Sequence, residues 1–230
     1  MKCRVFDPLN ELLTGATGVM GGSFDPVQTA HIEKALAVRK ILNLDEVILI
    51  PAGVSPFKPN GPIATNHERL EMLKIIIKKL NGLSVDDVEL KREGTSFTLP
   101  TMQLLGAPER DLVMILGMDA FHTIQTWFNW KELLRTVHTV VVPRSGKSFG
   151  DLGSNTPDFP WEIEYKSDVG WAWVNDSGKY LVFLDLPKSD VSSTEVRRRI
   201  AKCQSYTTLV PPGVEDYIRA LGLYQENEGL

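Results

Sequence analysis

One short segment carries residue types that can bind a phosphate group: GVMGGSFDPVQTAHIEKALAV, residues 18–38. It reads as an apolar strand, a turn at Gly21 and Gly22, and a helix with His31 in its first turn. Glycine has no Cβ, so the backbone of such a turn can lie close to a ligand. The helix start offers unpaired N–H groups and a partial positive charge, which favour an anion. We interpret the segment as a phosphate-binding turn, although a purely structural histidine fits the same pattern.

A second helix start, in VSSTEVRRR, offers another set of anion-binding groups. Ser193 and Thr194 bring hydroxyl donors to its first turn, and Arg197 follows one turn later with a charged guanidinium fork. An N-cap followed by a basic, solvated helix face is the alternative interpretation of the same residues. The pattern alone leaves both open.

Two further segments contain candidate ligand contacts. Lys58 lies on the proline-rich loop PAGVSPFK, directly after a predicted strand. Such loops line the binding crevice of open parallel sheets, which suits Lys58 to a phosphate. In GMDAFHTIQTWFNW, Asp119 comes soon after another predicted strand and could accept hydrogen bonds from ribose hydroxyls. Trp127 and Trp130 could offer a stacking face or belong to the core.

These residues need elements that hold them, and the chain alternates strand-like and helix-like segments. This alternation is typical of a parallel sheet with helices on both faces. Thr65 and Glu68 have the spacing of a capping box at a helix start, as do Ser192 and Glu195. The stretch 144–178 is irregular and tryptophan-rich, and we expect a structured loop or hairpin there. The predicted strands are 18–24, 46–51, 83–90, 111–117, 139–143 and 179–187, and predicted helices begin near 29, 65, 192 and 212.

Composition narrows the class of protein. The chain has 230 residues, 43% of them hydrophobic, and a formal net charge of -4. These values suit a soluble α/β domain with one sizeable core and argue against a broad nucleic-acid-binding surface. A small cationic pocket for a phosphorylated metabolite is compatible with them. Cys3 and Cys203 are too few and too far apart for a zinc site or a disulfide framework, so we expect a cytoplasmic setting.

The chain shows no sign of a membrane or secretion segment. No run of apolar residues approaches the length of a membrane span, so we expect no membrane partner. The first residues, MKCRVFDPLNELLTG, lack the continuous apolar core of a signal peptide. We predict an N-terminal extension over 1–15 and a single domain over 16–230. Two compact subdomains stay open as an alternative, and so does assembly into a homo-oligomer.

Taken in order, these segments resemble the bacterial nicotinate-nucleotide adenylyltransferase family of the nucleotidylyltransferase superfamily, over roughly residues 18–224. GGSFDPVQTAH is similar to the opening motif, Gly-Gly-Thr/Ser-Phe-Asp-Pro followed by His-x-Gly-His. PAGVSPFK resembles the Pro-Pro-His-Lys loop, and VSSTEVRRRI resembles the Ile-Ser-Ser-Thr-x-Ile-Arg signature. The other similar segments are HERLEML, VELKREGTSFTLPT, GMDAF with WFNWKELL, and YTTLVPPGVEDYIRALGLY. The resemblance implies a Rossmann-like α/β fold of nucleotidylyltransferase type.

The resemblance also implies a reaction. The adenylyl group of ATP would pass to nicotinate mononucleotide, giving nicotinate adenine dinucleotide, a precursor of NAD, and pyrophosphate. No covalent enzyme intermediate is needed, so catalysis would consist of positioning and charge stabilisation. Mg²⁺ would bridge ATP oxygens and be held mainly by phosphates and water.

Roles for individual residues follow from the resemblance by position. His31 would stabilise charge on the ATP phosphates, Arg197 would hold them from the other side, and Asp119 would sit near the adenosine ribose. Lys58, Thr98 and Trp127 would face nicotinate mononucleotide, with Trp127 stacked on its ring. The full set implied for ATP is Gly21, Gly22, Ser23, Phe24, His31, Asp119, Ser193, Thr194 and Arg197.

The chain departs from the family pattern near the expected chemistry. Gln28 stands where the first histidine of the opening motif belongs, Ala30 stands where its glycine belongs, and Phe57 replaces the histidine of the lysine loop. We expect Gln28 to act with His31 and Arg197 through a neutral hydrogen bond. Losing a charge-assisted contact costs about 2–4 kcal/mol in the transition state.

Two hypotheses therefore stand. One is a working adenylyltransferase, with nicotinamide mononucleotide as a variant acceptor. The other is a weakened or inactive nucleotide-binding relative with a regulatory or scaffold role.

Overall fold

A computed structural model describes residues 4–5, 9–57, 61–106, 110–142, 159–167, 170–187 and 191–225 of the chain. The strands are β1 (Arg4–Val5), β2 (Thr17–Gly22), β3 (Glu46–Pro51), β4 (Leu83–Val85), β5 (Leu112–Gly117), β6 (His138–Val142), β7 (Trp161–Ser167), β8 (Gly170–Asn175) and β9 (Tyr180–Leu184). The helices are α1 (Leu9–Leu12), α2 (Thr29–Ile41), α3 (Asn66–Ile77), α4 (Val88–Lys91), α5 (Thr98–Leu105), α6 (Met118–His122), α7 (Trp130–Thr136), α8 (Ser193–Ala201) and α9 (Val214–Leu221), with a 3-10 helix at Ile124–Thr126.

The chain divides into two compact units, each described by itself. Unit 1 comprises Met1–Met20, Lys34–Ile48 and Phe97–Asp190. Unit 2 comprises Gly21–Glu33, Leu49–Ser96 and Val191–Leu230. The domain boundary expected at residue 16 stays a prediction, and residues 4–5 of the expected extension pair in parallel with β7.

Unit 1 contains a mixed sheet in the order β1-β7-β8-β9-β6-β5-β2-β3. Strands β2, β5, β6 and β9 pair in parallel, with Val113 opposite His138 and Val140 opposite Val182. Consecutive residues of β5 such as Val113, Met114 and Ile115 are all buried, as expected for a strand covered on both faces. The predicted α/β class, with mostly parallel strands flanked by helices, is confirmed.

The expectation of a purely parallel sheet is wrong at one strand, because β8 is antiparallel to both β7 and β9. Only two residues separate β7 from β8, and four separate β8 from β9. Connections this short can join antiparallel strands, whereas a parallel pair needs a long crossover. The hairpin expected within 144–178 is therefore present at β7 and β8, and residues 143–158 lie outside the described part of the chain.

A polar cluster lies in unit 1 where three neighbouring strands begin. Asp111 precedes β5, His138 opens β6, and Lys179 precedes β9. The Asp111 carboxylate is 3.1 Å from His138 Nε2 and accepts a hydrogen bond from Lys179 Nζ at 2.7 Å. None of these three residues is among the expected ligand contacts.

Unit 2 holds the carboxyl-terminal parts of β2 and β3, followed by β4. The Ala52 N–H donates to the Gly22 carbonyl at 2.9 Å, and the Asp86 N–H donates to the Leu49 carbonyl at 3.2 Å. Loops that follow such strand ends are where open α/β sheets bind ligands. The predicted strand over 83–90 is wrong beyond residue 85, because the Asp86 carboxylate accepts the Val88 N–H at 2.8 Å and α4 begins there.

The starts of α3 and α8 test the two predicted capping boxes. At α3, Thr65 Oγ1 accepts the Glu68 N–H at 3.2 Å and the Glu68 carboxylate accepts the Thr65 N–H at 2.7 Å, so the predicted capping box is confirmed. At α8, Ser192 Oγ accepts the Glu195 N–H at 3.1 Å. The Glu195 carboxylate instead pairs with arginines of its own helix, so this start has a single cap.

No helix in the described part of the chain combines the length and apolar character that crossing a membrane requires.

Candidate active site

The turn after β2 lies in unit 2 and is shaped by two glycines with different surroundings. A Cβ on Gly22 would lie 3.2 Å from the ring of Phe24, which folds back over it with a left-handed φ of 47°. A Cβ on Gly21 would have no described atom within 4 Å. A Cβ at Gly22 would crowd the Phe24 ring, whereas Gly21 leaves open space beside the backbone. That space suits the close approach of a ligand.

His31 is held at the start of α2 in a defined tautomer. Its Nδ1 accepts the backbone N–H of Gln28 at 3.2 Å, and its own backbone N–H donates to the Gln28 carbonyl at 3.1 Å. The ring of Phe24 meets it edge-on, with centroids 5.2 Å apart. Because Nδ1 is an acceptor, the neutral imidazole carries its proton on Nε2. His31 is half-buried.

Gln28 is buried, and its side chain reaches the start of α8 rather than following His31. Its amide nitrogen donates to the Val191 carbonyl at 3.0 Å, and its oxygen accepts from the Ser193 N–H and lies 2.7 Å from Ser193 Oγ. This orientation of the amide is assigned from the hydrogen-bond network, since it satisfies both ends. Ser193 Oγ also lies 2.9 Å from the Pro26 carbonyl, so its single proton can go to either of these two oxygens. The starts of α2 and α8 are therefore in direct contact within unit 2.

Asp25 is a buried carboxylate that organises this part of unit 2. Its oxygens accept the N–H groups of Ile63 and Ala64 at 2.8 and 3.0 Å and the Tyr224 hydroxyl at 2.9 Å. Arg197 Nη1 donates to the Asp25 carbonyl and lies 3.5 Å from its carboxylate. Burial and the nearby negative charge raise the pKa of the Tyr224 hydroxyl, so it stays a donor. Arg197 is thereby held beside the turn.

Arg69, on α3, supports the same turn from the core. It is fully buried, and Nη1 donates to the Ser23 carbonyl at 2.7 Å while Nη2 donates to Asn66 at 2.6 Å. Burial lowers the pKa of the guanidinium, and the charge of Asp25 acts in the opposite direction. Its Nε has no hydrogen-bond partner among the described residues. This side chain fixes the main chain of the turn.

The remaining predicted contacts lie in unit 1 or outside the described residues. Asp119 is exposed in the first turn of α6, Thr98 opens α5, and Trp127 is half-buried at the end of the 3-10 helix. The neighbours of Thr98 and Trp127, Phe97 and Phe128, stack with centroids 4.8 Å apart. Lys58 falls outside the described residues, so its predicted role stays a prediction.

The structure brings most of the predicted nucleotide contacts together in unit 2: Gly21, Gly22, Ser23, Phe24, Gln28, His31, Ser193, Thr194 and Arg197. Sequence reasoning missed three supporting residues, Asp25, Arg69 and Tyr224. Each lies inside a segment that the resemblance already covers, so the motifs contained the signal. Their burial and their partners are the parts that no motif displays.

Comparison with known proteins supports the family resemblance of the sequence. Residues 19–199 match the cytidylyltransferase-like family model. A relative from Desulfatibacillum aliphaticivorans, named "probable nicotinate-nucleotide adenylyltransferase", is 32% identical over 90% of this chain and 98% of its own. A relative of the same name from Pseudomonas syringae pv. tomato is 35% identical over 90% of this chain and 93% of its own.

Solved structures show the same fold. The nicotinic acid mononucleotide adenylyltransferase of Plasmodium falciparum, complexed with NaAD, superposes with a TM-score of 0.69 at 18% identity. The match covers 91% of this chain and 97% of that one. At this level of identity the likeness concerns the fold.

Proposed function

This chain belongs to the nicotinate-nucleotide adenylyltransferase family, and we propose that it transfers the adenylyl group of ATP to nicotinate mononucleotide. A 5′-phosphate oxygen of the acceptor attacks the α-phosphorus of ATP, the bond to the β-phosphate breaks, and pyrophosphate leaves. The products are nicotinate adenine dinucleotide and pyrophosphate, a step in NAD biosynthesis. We include a cytoplasmic setting in the proposal, in keeping with the sparse cysteines.

The observation that carries the proposal is the contact between two helix starts in unit 2. The Gln28 side chain, directly before α2, bonds to Ser193 at the start of α8, and Arg197 on α8 bonds to the main chain of Asp25. The segment that carries His31 is therefore hydrogen-bonded to the helix that carries Arg197. Helix starts supply N–H donors and partial positive charge to phosphates. A guanidinium and an Nε2 donor beside them would stabilise charge that develops during the transfer.

Each of these residues has a proposed task. His31 Nε2 donates to the triphosphate, and Arg197 with the hydroxyls of Ser193 and Thr194 holds the leaving pyrophosphate. Gly21 leaves room for the nucleotide beside the turn. Asp119 is proposed to bind the adenosine ribose.

The acceptor contacts are proposed from the family resemblance alone: Lys58, Thr98 and Trp127. ATP is taken as its magnesium complex, in which phosphates and water hold the ion. No group of three or more His, Cys, Asp or Glu side chains converges on a metal position among the described residues.

The test is pyrophosphate release from MgATP with nicotinate mononucleotide, and separately with nicotinamide mononucleotide. We expect product with nicotinate mononucleotide, identified as nicotinate adenine dinucleotide by mass spectrometry. His31→Ala removes the Nε2 donor and should lower kcat about 10²–10³-fold. His67→Ala is the matched control, since His67 is an exposed histidine near the start of α3 and has no proposed role.

Three outcomes would change the proposal. If MgATP binds but neither mononucleotide gives pyrophosphate, the transfer activity is wrong and a non-catalytic relative replaces it. If nicotinamide mononucleotide turns over faster, the acceptor is revised. Equal activity in His31→Ala and His67→Ala would remove His31 from the mechanism.

A further inference from the structure

We infer that Gln28 is a positioning residue, a neutral clasp that holds the start of α8 against the start of α2, and that it does not itself bind phosphate. The inference rests on the proposed function for its meaning in catalysis. Its structural part concerns the free protein and can be tested without any substrate.

The hydrogen bonds of Gln28 use every polar group that it has. Its main-chain N–H donates to Nδ1 of the His31 ring, and its main-chain carbonyl accepts the backbone N–H of His31. Its side-chain nitrogen donates to the Val191 carbonyl and its side-chain oxygen accepts from Ser193. One residue thus sets the orientation of His31 with its backbone and the position of Ser193 with its side chain.

Burial argues against a direct role at the phosphates. Gln28 is only 3% exposed, whereas His31 and Ser193 are half-buried and reachable. A buried amide whose donor and acceptor are both satisfied has no reason to exchange those bonds for a phosphate. The half-buried side chains of His31 and Arg197 are better placed than this amide to meet the ligand.

The amide side chain suits this task for a specific reason. The first N–H groups of a helix have no partner within the helix, and Ser193 is the first residue of α8. The clasp needs an acceptor for that N–H and a donor for the Val191 carbonyl, which glutamine supplies without changing charge. The expectation was that Gln28 makes a weaker phosphate contact in place of a histidine. We replace it with a positioning role at the start of α8.

The first test measures residue-specific amide exchange in the free protein by NMR. Gln28→Met keeps the volume of the side chain but removes both hydrogen bonds. We expect at least 10-fold faster exchange of the Ser193 amide in this variant. The Glu195 amide, which Ser192 Oγ caps independently, should exchange at the wild-type rate.

Ser192→Ala is the matched control within the same helix start. It removes the cap on Glu195 and leaves the clasp intact, so the Glu195 amide should lose protection while the Ser193 amide keeps it. The two variants thus predict opposite patterns at two amides two residues apart. A general loosening of α8 would expose both amides in both variants and would overturn the inference.

The second test compares the steady-state kinetics of wild type and Gln28→Met at a temperature at which thermal unfolding curves show both proteins to be fully folded. Loss of the clasp should lower kcat/KM for MgATP about 10- to 100-fold and leave KM for nicotinate mononucleotide unchanged. A residue that only fills space would tolerate methionine, and activity would persist. Weaker MgATP binding with unchanged Ser193 exchange would show a direct phosphate ligand and refute the clasp.

The two proposals fail in different ways. If wild type releases no pyrophosphate with either acceptor, the transferase assignment fails, while the exchange pattern still decides the clasp. If turnover is present and the Ser193 amide exchanges equally in wild type and Gln28→Met, the clasp fails and the assignment stands.

Discussion

His138 is a buried imidazole that should make the fold sensitive to mild acid. Its Nδ1 accepts the Tyr180 N–H at 2.9 Å, so the neutral ring carries its proton on Nε2, 3.1 Å from the Asp111 carboxylate. A second proton would have to go on Nδ1, where it would face that N–H. Burial lowers the pKa of His138 to about 4, against the opposing charge of Asp111.

The sign and the size of the effect follow from this pKa. An unfolded chain takes up the proton near the ordinary value of 6.5, whereas the folded protein does so near 4. Between these values the unfolded state binds more protons, so the free energy of unfolding falls as the pH falls. The full difference is about 3 kcal/mol, of which about 2 kcal/mol is lost between pH 7 and pH 5.

The assay is urea unfolding of wild type and His138→Gln at pH 7 and pH 5. Glutamine can still donate to Asp111 but takes up no proton, so other titrating groups cancel in the comparison. Although burial works the other way, the hydrogen bond from Lys179 and the neighbouring His138 lower the pKa of Asp111, so it stays ionised over this range.

Wild type should lose about 2 kcal/mol more than the variant between the two pH values. An equal loss in both proteins would refute the reasoning. Stability that rises in wild type on acidification would reverse its sign.

Two further predictions concern unit 2. Tyr224→Phe removes the hydroxyl that donates to the buried Asp25 carboxylate and should lower the free energy of unfolding by about 1.5–3 kcal/mol in urea titration; an unchanged midpoint would mean that Asp25 does not depend on this donor. Gly21→Ala places a methyl group where no described atom lies, so the melting temperature should stay at the wild-type value while kcat/KM for MgATP falls at least 10-fold. Full activity in Gly21→Ala would show that the nucleotide does not approach this part of the turn.

Local features of this chain were predictable from the sequence because their causes are local. The glycine turn before α2, the capping box at Thr65 and the buried strands β3, β5 and β6 each depend on residues a few positions apart. The acidic pair after β4 shows the limit of such reasoning. Asp86 could end a strand or begin a helix, and its bond to the Val88 N–H settled that choice.

The direction of the Gln28 side chain is the clearest case that only the tertiary structure decided. Its partner Ser193 lies 165 positions away, and Tyr224 lies 199 positions from Asp25. Sequence by itself determined which groups were available: a neutral amide, a serine at a helix start, a carboxylate and a tyrosine. Which of them meet depends on how the backbone packs, because each buried donor and acceptor must find a partner among the groups that folding brings within reach.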